Sequence, residues 1–458
     1  MDQRDQALGT APIGPLLFRL ALPAIVAQLV NALYNIIDRI YIGHMEPGGD
    51  LALTGLGVCF SIIMFISALA ALAGMGGGPR ASIAMGEGNN EKAETVLGGS
   101  TALLLALAVV STAVFQIWKE PLLLAFGADP TTIGYATDYL SVYLWGSVSV
   151  LISLGLNCFI TIQGFATTAM LTTLIGAVVN IALDPIFIFG LNMGVRGAAL
   201  ATVIAQTVSA LWVLRFLTGR RSILRIRLRY LRLRPAVLGP IVALGVSPFI
   251  MQATESLVSI SFNSSLLKYG GTTAVGAMTI CASVMQVLWL PSQGLTQGAQ
   301  PIISYNFGAG NLDRVKTAFK LLALIQMIYL VSMWLFVELF PGIPVALFND
   351  NPALTALARR ALRIYFMGMC VFWIQNACQQ TFVALGQAKV SLFFALFRKV
   401  ILLIPLIFLL PHLFSDQVSA VWAAEPIADA VSALICGGVF LYRFPRILKN
   451  RAQALEHS

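Results

Sequence analysis

The stretch Asn180-Ile181-Ala182-Leu183-Asp184-Pro185 stands inside an apolar run from about Leu171 to Leu191. A run of that length crosses a bilayer, which takes roughly 20 residues, and this one carries a carboxylate near its middle. Ionisable groups at membrane depth are costly, so they face a protein interior or a wet cavity and mark functional sites. Asn180 precedes Asp184 by one helical turn, so amide and carboxylate share a face. Pro185 removes a backbone donor and loosens the helix beside the acid. Pairing with a basic side chain on a neighbouring helix is the structural alternative. The other reading is a proton or cation site.

The rest of the chain has the composition of a membrane protein. Of 458 residues, 58% are hydrophobic and 11% charged, against about 25% charged in soluble domains. The six cysteines (Cys59, Cys158, Cys281, Cys370, Cys378, Cys436) lie in apolar runs without metal-like spacing, as small buried side chains do. The polar N-terminal dozen residues have no signal-peptide pattern. Leu455-Glu456-His457-Ser458 has the look of a tag remnant.

Twelve apolar runs are expected as helices, near 13–43, 51–83, 94–118, 131–163, 168–191 and 195–218, then 238–268, 273–303, 315–341, 354–385, 389–411 and 417–443. Between the sixth and seventh, Gly219 to Pro235 holds Arg220, Arg221, Arg225, Arg227, Arg229, Arg232 and Arg234. Such a loop belongs on the cytoplasmic side, and both termini then follow it. Alternate assignment of the other loops, with Arg4 at the inner N-terminus, gives 18 Lys/Arg inside and six outside. The net charge of +9 is thereby assigned to membrane orientation, not nucleic acid. The alternating Arg-apolar spacing of 225–233 also fits a segment lying along headgroups.

The two sets of six repeat. Gly86-Glu87-Gly88-Asn89-Asn90-Glu91-Lys92 reappears 222 residues later as Gly308-Ala309-Gly310-Asn311-Leu312-Asp313-Arg314, and the same offset pairs Pro130 with Pro352, Tyr143 with Tyr365 and Gly164 with Gly386. Pro23 and Pro248 correspond at 225. Six helices per unit put both units into the membrane from the same side. The fold expected is all-α: two six-helix bundles in a parallel repeat, with a pseudo-two-fold along the membrane normal and a cavity between them. The boundaries expected are 1–218 for the N-lobe, 219–236 for the linker, 237–452 for the C-lobe and 453–458 for the tail.

Polar stripes then locate the chemistry. Gln28, Asn31, Asn35 and Asp38 share a face of the first helix, Thr173, Asn180 and Asp184 of the fifth, and Thr202, Gln206 and Ser209 of the sixth. Oxygen-rich groups of this kind suit Na⁺ or a shared proton, with Na⁺ placed at Asp38, Asn180 and Asp184, and lack the soft ligands of transition metals. Two acids close together in low dielectric do not both ionise. In the second half, Gln252, Glu255 and Ser259 share a face of the seventh helix; Gln375, Asn376, Gln379 and Gln380 lie beside Trp373 in the tenth. Amides beside an aromatic suit an amphipathic ligand or, equally, helix-to-helix hydrogen bonds. Glu255 is read as attracting cationic substrate. Glu425 and Asp429, one turn apart in the twelfth helix, are placed at an entrance or against Arg398 or Lys399. No Walker A loop, His-Glu-x-x-His or Gly-x-Ser-x-Gly motif occurs, so an intramembrane enzyme is the remote alternative and no cofactor is expected.

With these residues in hand, the chain resembles the multidrug and toxic compound extrusion (MATE) antiporters, in particular their DNA-damage-inducible and MepA-like branches. The resemblance rests on the twelve-helix duplication, the Gly-x-Gly-Asn loops, Pro23…Asp38 and Asn180…Asp184-Pro185, and covers nearly the whole chain. It implies a cation site at Asp38, Asn180, Asp184 and Thr202, with Pro23 as a hinge beside the break at Pro185. A NorM-like site would use acids of the seventh and tenth helices; Glu255 matches the first and the tenth has none. The expectation is a secondary exporter of amphipathic, often cationic, drugs or toxic metabolites in exchange for H⁺ or Na⁺. The substrate cavity is expected at Gln28, Asn31, Asn35, Gln206, Gln252, Glu255, Trp373, Gln375, Asn376 and Gln379. A monomer in a bacterial or archaeal cytoplasmic membrane, with no nucleic-acid partner, completes the expectation. A lipid-linked precursor flippase is the alternative within the superfamily, disfavoured because the charges at bilayer depth read mainly as acids.

Overall fold

A computed structural model of the protein describes residues 3–45, 48–347 and 352–456. His457 and Ser458 of the expected tail, and the Arg4 side chain, lie outside the described part. Every regular element among the described residues is a helix. A short leading helix, Gln3–Thr10, precedes the long ones. The first half contains α1 (Ile13–Gly43), α2 (Gly49–Gly86), α3 (Asn90–Ala125), α4 (Ile133–Trp145 and Ser147–Thr161, bent by 59°), α5 (Ala166–Gly190) and α6 (Gly194–Thr218). In the second half, Pro235–Gly308 is helical for 74 residues. At about 1.5 Å per residue it would reach roughly 110 Å, more than three times a ~30 Å hydrocarbon layer. It is divided at Gly271, whose φ of +65° and ψ of −166° no side chain tolerates easily, into α7 (235–270) and α8 (272–308). Then come α9 (Leu312–Leu339), α10 (Pro352–Phe366 and Met369–Ala384), α11 (Ala388–His412) and α12 (Gln417–Glu456). The last helix runs through Leu455 and Glu456, and the Leu455 side chain lies against Gly310.

The duplication is written into the backbone. Gly88 and Gly310, at corresponding loop positions, have φ of +73° and +76°; Gly164 and Gly386 have +83° and +71°. Glycine recurs there because the chain must turn left-handed to start the next helix. The packing between the halves is reciprocal. A Cβ on Gly86 would strike the Tyr305 carbonyl, and a Cβ on Gly308 would strike the Ile83 carbonyl. Gly86 and Ile83 are the 222-residue counterparts of Gly308 and Tyr305, so an approximate two-fold axis passes between α2 and α8. On either side of it α2 packs along α7 and α1 along α8. Small residues permit this approach: Gly76 against Ile241, Gly245 against Leu72, Gly298 against Ala21 and Gly294 against Ile25. Between membrane helices such close packing replaces the absent hydrophobic drive.

The halves are tied most firmly at the end that carries the arginine linker. One core runs through both, joining Leu8, Met85 and Leu97 to Tyr305, Phe382, Val390 and Leu448; a second core, around Phe262, Cys281, Tyr365 and Trp422, belongs to the second half alone. Arg451 donates to the Gly308 and Phe307 carbonyls at 2.6 and 3.1 Å and pairs with Glu87 at 3.0 Å. The linker is folded onto the first half: Gln163 Oε1 accepts from Ser222 Oγ, Ile223 N and Leu224 N at 3.0, 2.7 and 2.9 Å, and Arg227 pairs with Glu94 at 2.6 Å. In α1, buried Ile13, Leu16, Leu17, Leu20, Ala21 and Ala24 make a packed stripe. Beyond it, from Ile25 to Ile37, no residue is buried. Pro23 lies at that change, within a helix that continues without interruption.

Candidate functional site

In the first half, α1, α4, α5 and α6 bring their polar groups to one place. Asp38, Asn180 and Asp184 are buried, Asp184 completely. The Asp38 and Asp184 carboxyls lie beside each other. Two acids this close in low dielectric do not both ionise. Asn180 Nδ2 donates to Asp184 Oδ1 at 3.2 Å and to Thr202 Oγ1 at 3.4 Å. Three buried oxygens, Asp38 Oδ1, Asn180 Oδ1 and Asp184 Oδ2, have no hydrogen-bond partner. Two acids and an amide thus gather hard oxygens with unclaimed lone pairs, the chemistry of a proton or Na⁺ site. After Pro185 the helix widens into a π turn, Ile186–Gly190, a departure common at functional sites.

Tyrosines enclose this group. Tyr34 of α1 lies beside Gln206 and Asn35, and Tyr139 of α4 beside Thr202. Ser153 Oγ donates to Gln206 Oε1 at 2.6 Å. Ser209, expected on the polar face of α6, instead donates to the Thr172 carbonyl and ties α6 to α5. On α1, Gln28 and Asn31 are half-buried and Asn35 is exposed, its Nδ2 on the Asn31 carbonyl.

The second half holds a different charge cluster. Arg398 donates to Glu425 at 2.6 Å and Asp429 at 2.7 Å, and its guanidinium lies 4.5 Å from the Phe372 ring centroid. That settles the twelfth-helix acids against a base of α11 and not at an entrance. Lys399 pairs with Glu255 and donates to the Met251 carbonyl at 2.8 Å. Glu255 is therefore neutralised, contrary to its reading as a free attractor of cations. Three acids face two bases here, so with Asp38 and Asp184 the charges at these positions are mainly acidic. Both bases stand on a second π segment, Phe397–Leu403. The α10 amides also differ from expectation. Asn376 donates to Ser292 and Gln326 at 3.2 and 2.8 Å, Gln375 to Gln379, and Gln379 to the Met251 sulfur. All three are buried; Asn376 and Gln379 spend donors on other helices, and Gln375 donates within its own. Trp373 packs against the second core, and Gln252 is half-buried on α7. No cluster of three metal-ligating side chains occurs among the described residues.

The MatE family model matches residues 23–186 and 248–409, one segment in each half, starting at Pro23 and Pro248. The chain belongs to the MatE family. This MatE chain is 25% identical to multidrug export protein MepA of Staphylococcus haemolyticus over 437 residues, 95% of each chain. The corresponding protein of Staphylococcus aureus (strain MRSA252) is 25% identical over 460 residues, 99% of each. Among solved structures, a crystal structure of MATE in the bent conformation is 25% identical with a TM-score of 0.92, covering 99% of this chain and 100% of its own. MATE in the straight conformation gives 0.90 over 98% and 100%, also at 25% identity. A MOP superfamily transporter from Pyrococcus furiosus, described as having reversed polarity in its binding pocket, gives 0.90 over 98% and 99% at 25%. This MatE protein is thus a multi-pass membrane protein of a transporter family. Its tyrosines and its Glu255–Lys399 pair were not foreseen from sequence: an aromatic in an apolar helix looks like core, and a pair is visible only once its helices meet.

Proposed function

We propose that this MatE protein exports amphipathic organic compounds across a cytoplasmic membrane by alternating access, in exchange for H⁺ or Na⁺. The observation that carries the reading is the buried pair of acids, Asp38 and Asp184, whose oxygens are left partly unclaimed. The MepA relatives, named as multidrug export proteins, support the substrate class. In this reading Asp38, Asn180, Asp184 and Thr202 bind the ion, and Gln28, Asn31, Asn35 and Gln206 continue the polar surface toward substrate. The lobes, 1–218 and 237–452, move on the 219–236 linker. The arginines of that linker support a cytoplasmic position for it and for both termini, and a monomer suffices because both lobes lie in one chain. A precursor flippase would present free cations to a phosphate, whereas Arg398 is buried between two acids and the exposed member of the second pair is the Glu255 carboxylate, which repels a phosphate.

Proteoliposomes test this directly. Uptake of a fluorescent organic cation should follow an imposed pH or Na⁺ gradient, and Asp184→Asn should abolish that dependence. Uptake indifferent to both gradients in the wild type would refute the coupling.

A further inference from the structure

The ion pairs of the second half differ in access. Arg398, Glu425 and Asp429 form a buried triad, with side chains 13%, 8% and 4% exposed. In the Glu255–Lys399 pair the cation is 10% exposed and the anion 69%. The carboxylate stands on the polar stripe of α7 with Gln252 and Ser259, and the ammonium is held from behind by the Met251 carbonyl. A ligand therefore reaches the anion of the pair first.

An organic monocation arriving at Glu255 competes with Lys399 for that carboxylate. If it wins, it strands a nearly buried ammonium whose other acceptor among the described residues is the Met251 carbonyl, and removing one partner of a buried pair is strongly unfavourable. Arg398, the neighbouring residue, has the same sign and worsens the imbalance. A ligand with both charges escapes this penalty. Its ammonium takes Glu255 while its carboxylate takes Lys399, so the exchange leaves no charge alone.

We propose that the Glu255–Lys399 pair is a binding site for zwitterionic amphipathic compounds, opened by exchange of the internal pair for two intermolecular ones. This names the substrate class within the export reading and rests on it. Phe372, stacked under Arg398 and 5.3 Å from Trp289, supplies aromatic surface in the same half for the apolar body.

The probe is an aminoxanthene dye with a free benzoate, compared with its methyl ester, identical scaffolds that differ by one negative charge. Binding to purified full-length protein is read by fluorescence polarisation, and efflux is read in proteoliposomes. The wild type should bind the acid about tenfold or more tightly than the ester, the scale of one charge-assisted contact. Lys399→Gln should weaken the acid and strengthen the ester, because Glu255 is then free. Lys399→Arg, which keeps the charge, should retain the preference for the acid. Glu255→Gln, an independent check should Lys399→Gln fold poorly, should weaken both dyes and leave the acid favoured. A wild type that prefers the ester, or an acid-to-ester ratio unmoved by Lys399→Gln, overturns the proposal. Gradient-driven efflux of both dyes with an unaltered ratio overturns it while sparing the export reading. Failure to transport either dye, or any organic cation, removes both.

Discussion

Asp38 of α1 and Asp184 of α5 meet carboxyl to carboxyl in the first half, with Asn180 donating to Asp184 at 3.2 Å. Neither acid has a counterpart in the second half, where offsets of 225 and 222 fall on Asn263 and Leu406. The duplication preserved the helices and let their chemistry diverge: one half keeps a buried acid pair, the other a network of ion pairs.

Asp184→Asn and Asp38→Asn should each leave the fold intact, since an amide fills the same space and keeps a hydrogen bond to its neighbour. Both should lose gradient-driven efflux by at least about tenfold, because neither amide exchanges a proton at ordinary pH. Thermal melting in detergent checks the fold, and proteoliposome efflux checks the loss. Wild-type efflux from a folded Asp184→Asn protein would take the pair out of the mechanism.

Tyr139→Phe should be milder. Its hydroxyl lies beside Thr202, which receives the Asn180 amide, so its removal loosens one ligand of the site without touching a charge. One neutral hydrogen bond is worth about 1 kcal/mol, roughly a fivefold change in apparent ion affinity. A concentration series of the coupling ion in proteoliposomes reads it. A loss as deep as that of Asp38→Asn would give the tyrosine a direct part in ion transfer.

The linker offers a stability test. Gln163 is fully buried and its carbonyl oxygen accepts three donors from Ser222, Ile223 and Leu224. Gln163→Leu keeps the bulk but strands two backbone N–H groups, at a cost of about 1–3 kcal/mol. The linker should then be cut by trypsin at its arginines several-fold faster than in the wild type. Equal cleavage rates would mean that the Arg227–Glu94 pair and the Tyr230 hydroxyl, which donates to Glu91 at 2.7 Å, hold the segment alone.

Gly86 and Gly308 make the reciprocal contact that closes the linker end. Gly86→Ala or Gly308→Ala forces a methyl group against a backbone carbonyl, and overpacking of this kind costs about 1–3 kcal/mol. The cost falls only on the arrangement in which α2 and α8 touch, so the balance should shift toward opening at that end. Ser82→Cys, at a fully buried position facing Pro301, reports it in a background without other cysteines. Maleimide labelling from the linker side should accelerate in both alanine variants. Unchanged labelling and efflux in both would show that the contact does not govern opening.

What the sequence made legible follows from how each feature is encoded. Asp38, Asn180 and Asp184 stood out because a polar side chain in an apolar helix is rare and its spacing places it on a face. The loops reappeared because glycine at positive φ has few substitutes, as at Gly88 and Gly310. Arg398 was foreseen beside Glu425 and Asp429 as one of two choices; that Lys399 would take Glu255 depends on how α7 and α11 dock. The α10 amides carried two readings of equal standing, and Ser292 and Gln326, which lie on other helices, decided against the cavity for Asn376. Charge counting by loops passed over Arg398 and Lys399 because both lie within a span.

The final prediction concerns the coupled event. Substrate and ion should compete, each favouring a different arrangement of the two lobes, and a ligand shifts such an equilibrium only by its differential affinity for the two states. Protonating Asp38 and Asp184 removes negative charge from a pocket enclosed by Tyr34 and Tyr139. α1 is packed before Pro23 and unburied from Ile25 to Ile37, so its second part is the segment free to repack when that charge changes. Repacking there would shrink the space next to Gln28 and Asn31 and expel substrate. Drug affinity, measured on purified protein from about pH 5 to about pH 8 so as to span the two states of a shared carboxyl proton, should fall as pH drops. The slope should flatten in Asp38→Asn and Asp184→Asn, where the pair no longer shares a proton. If Na⁺ is the coupling ion, rising Na⁺ at fixed pH should weaken drug binding, and the same two variants should remove that effect. Affinity indifferent to both ions would leave the carboxyl pair a structural feature and end the competition model.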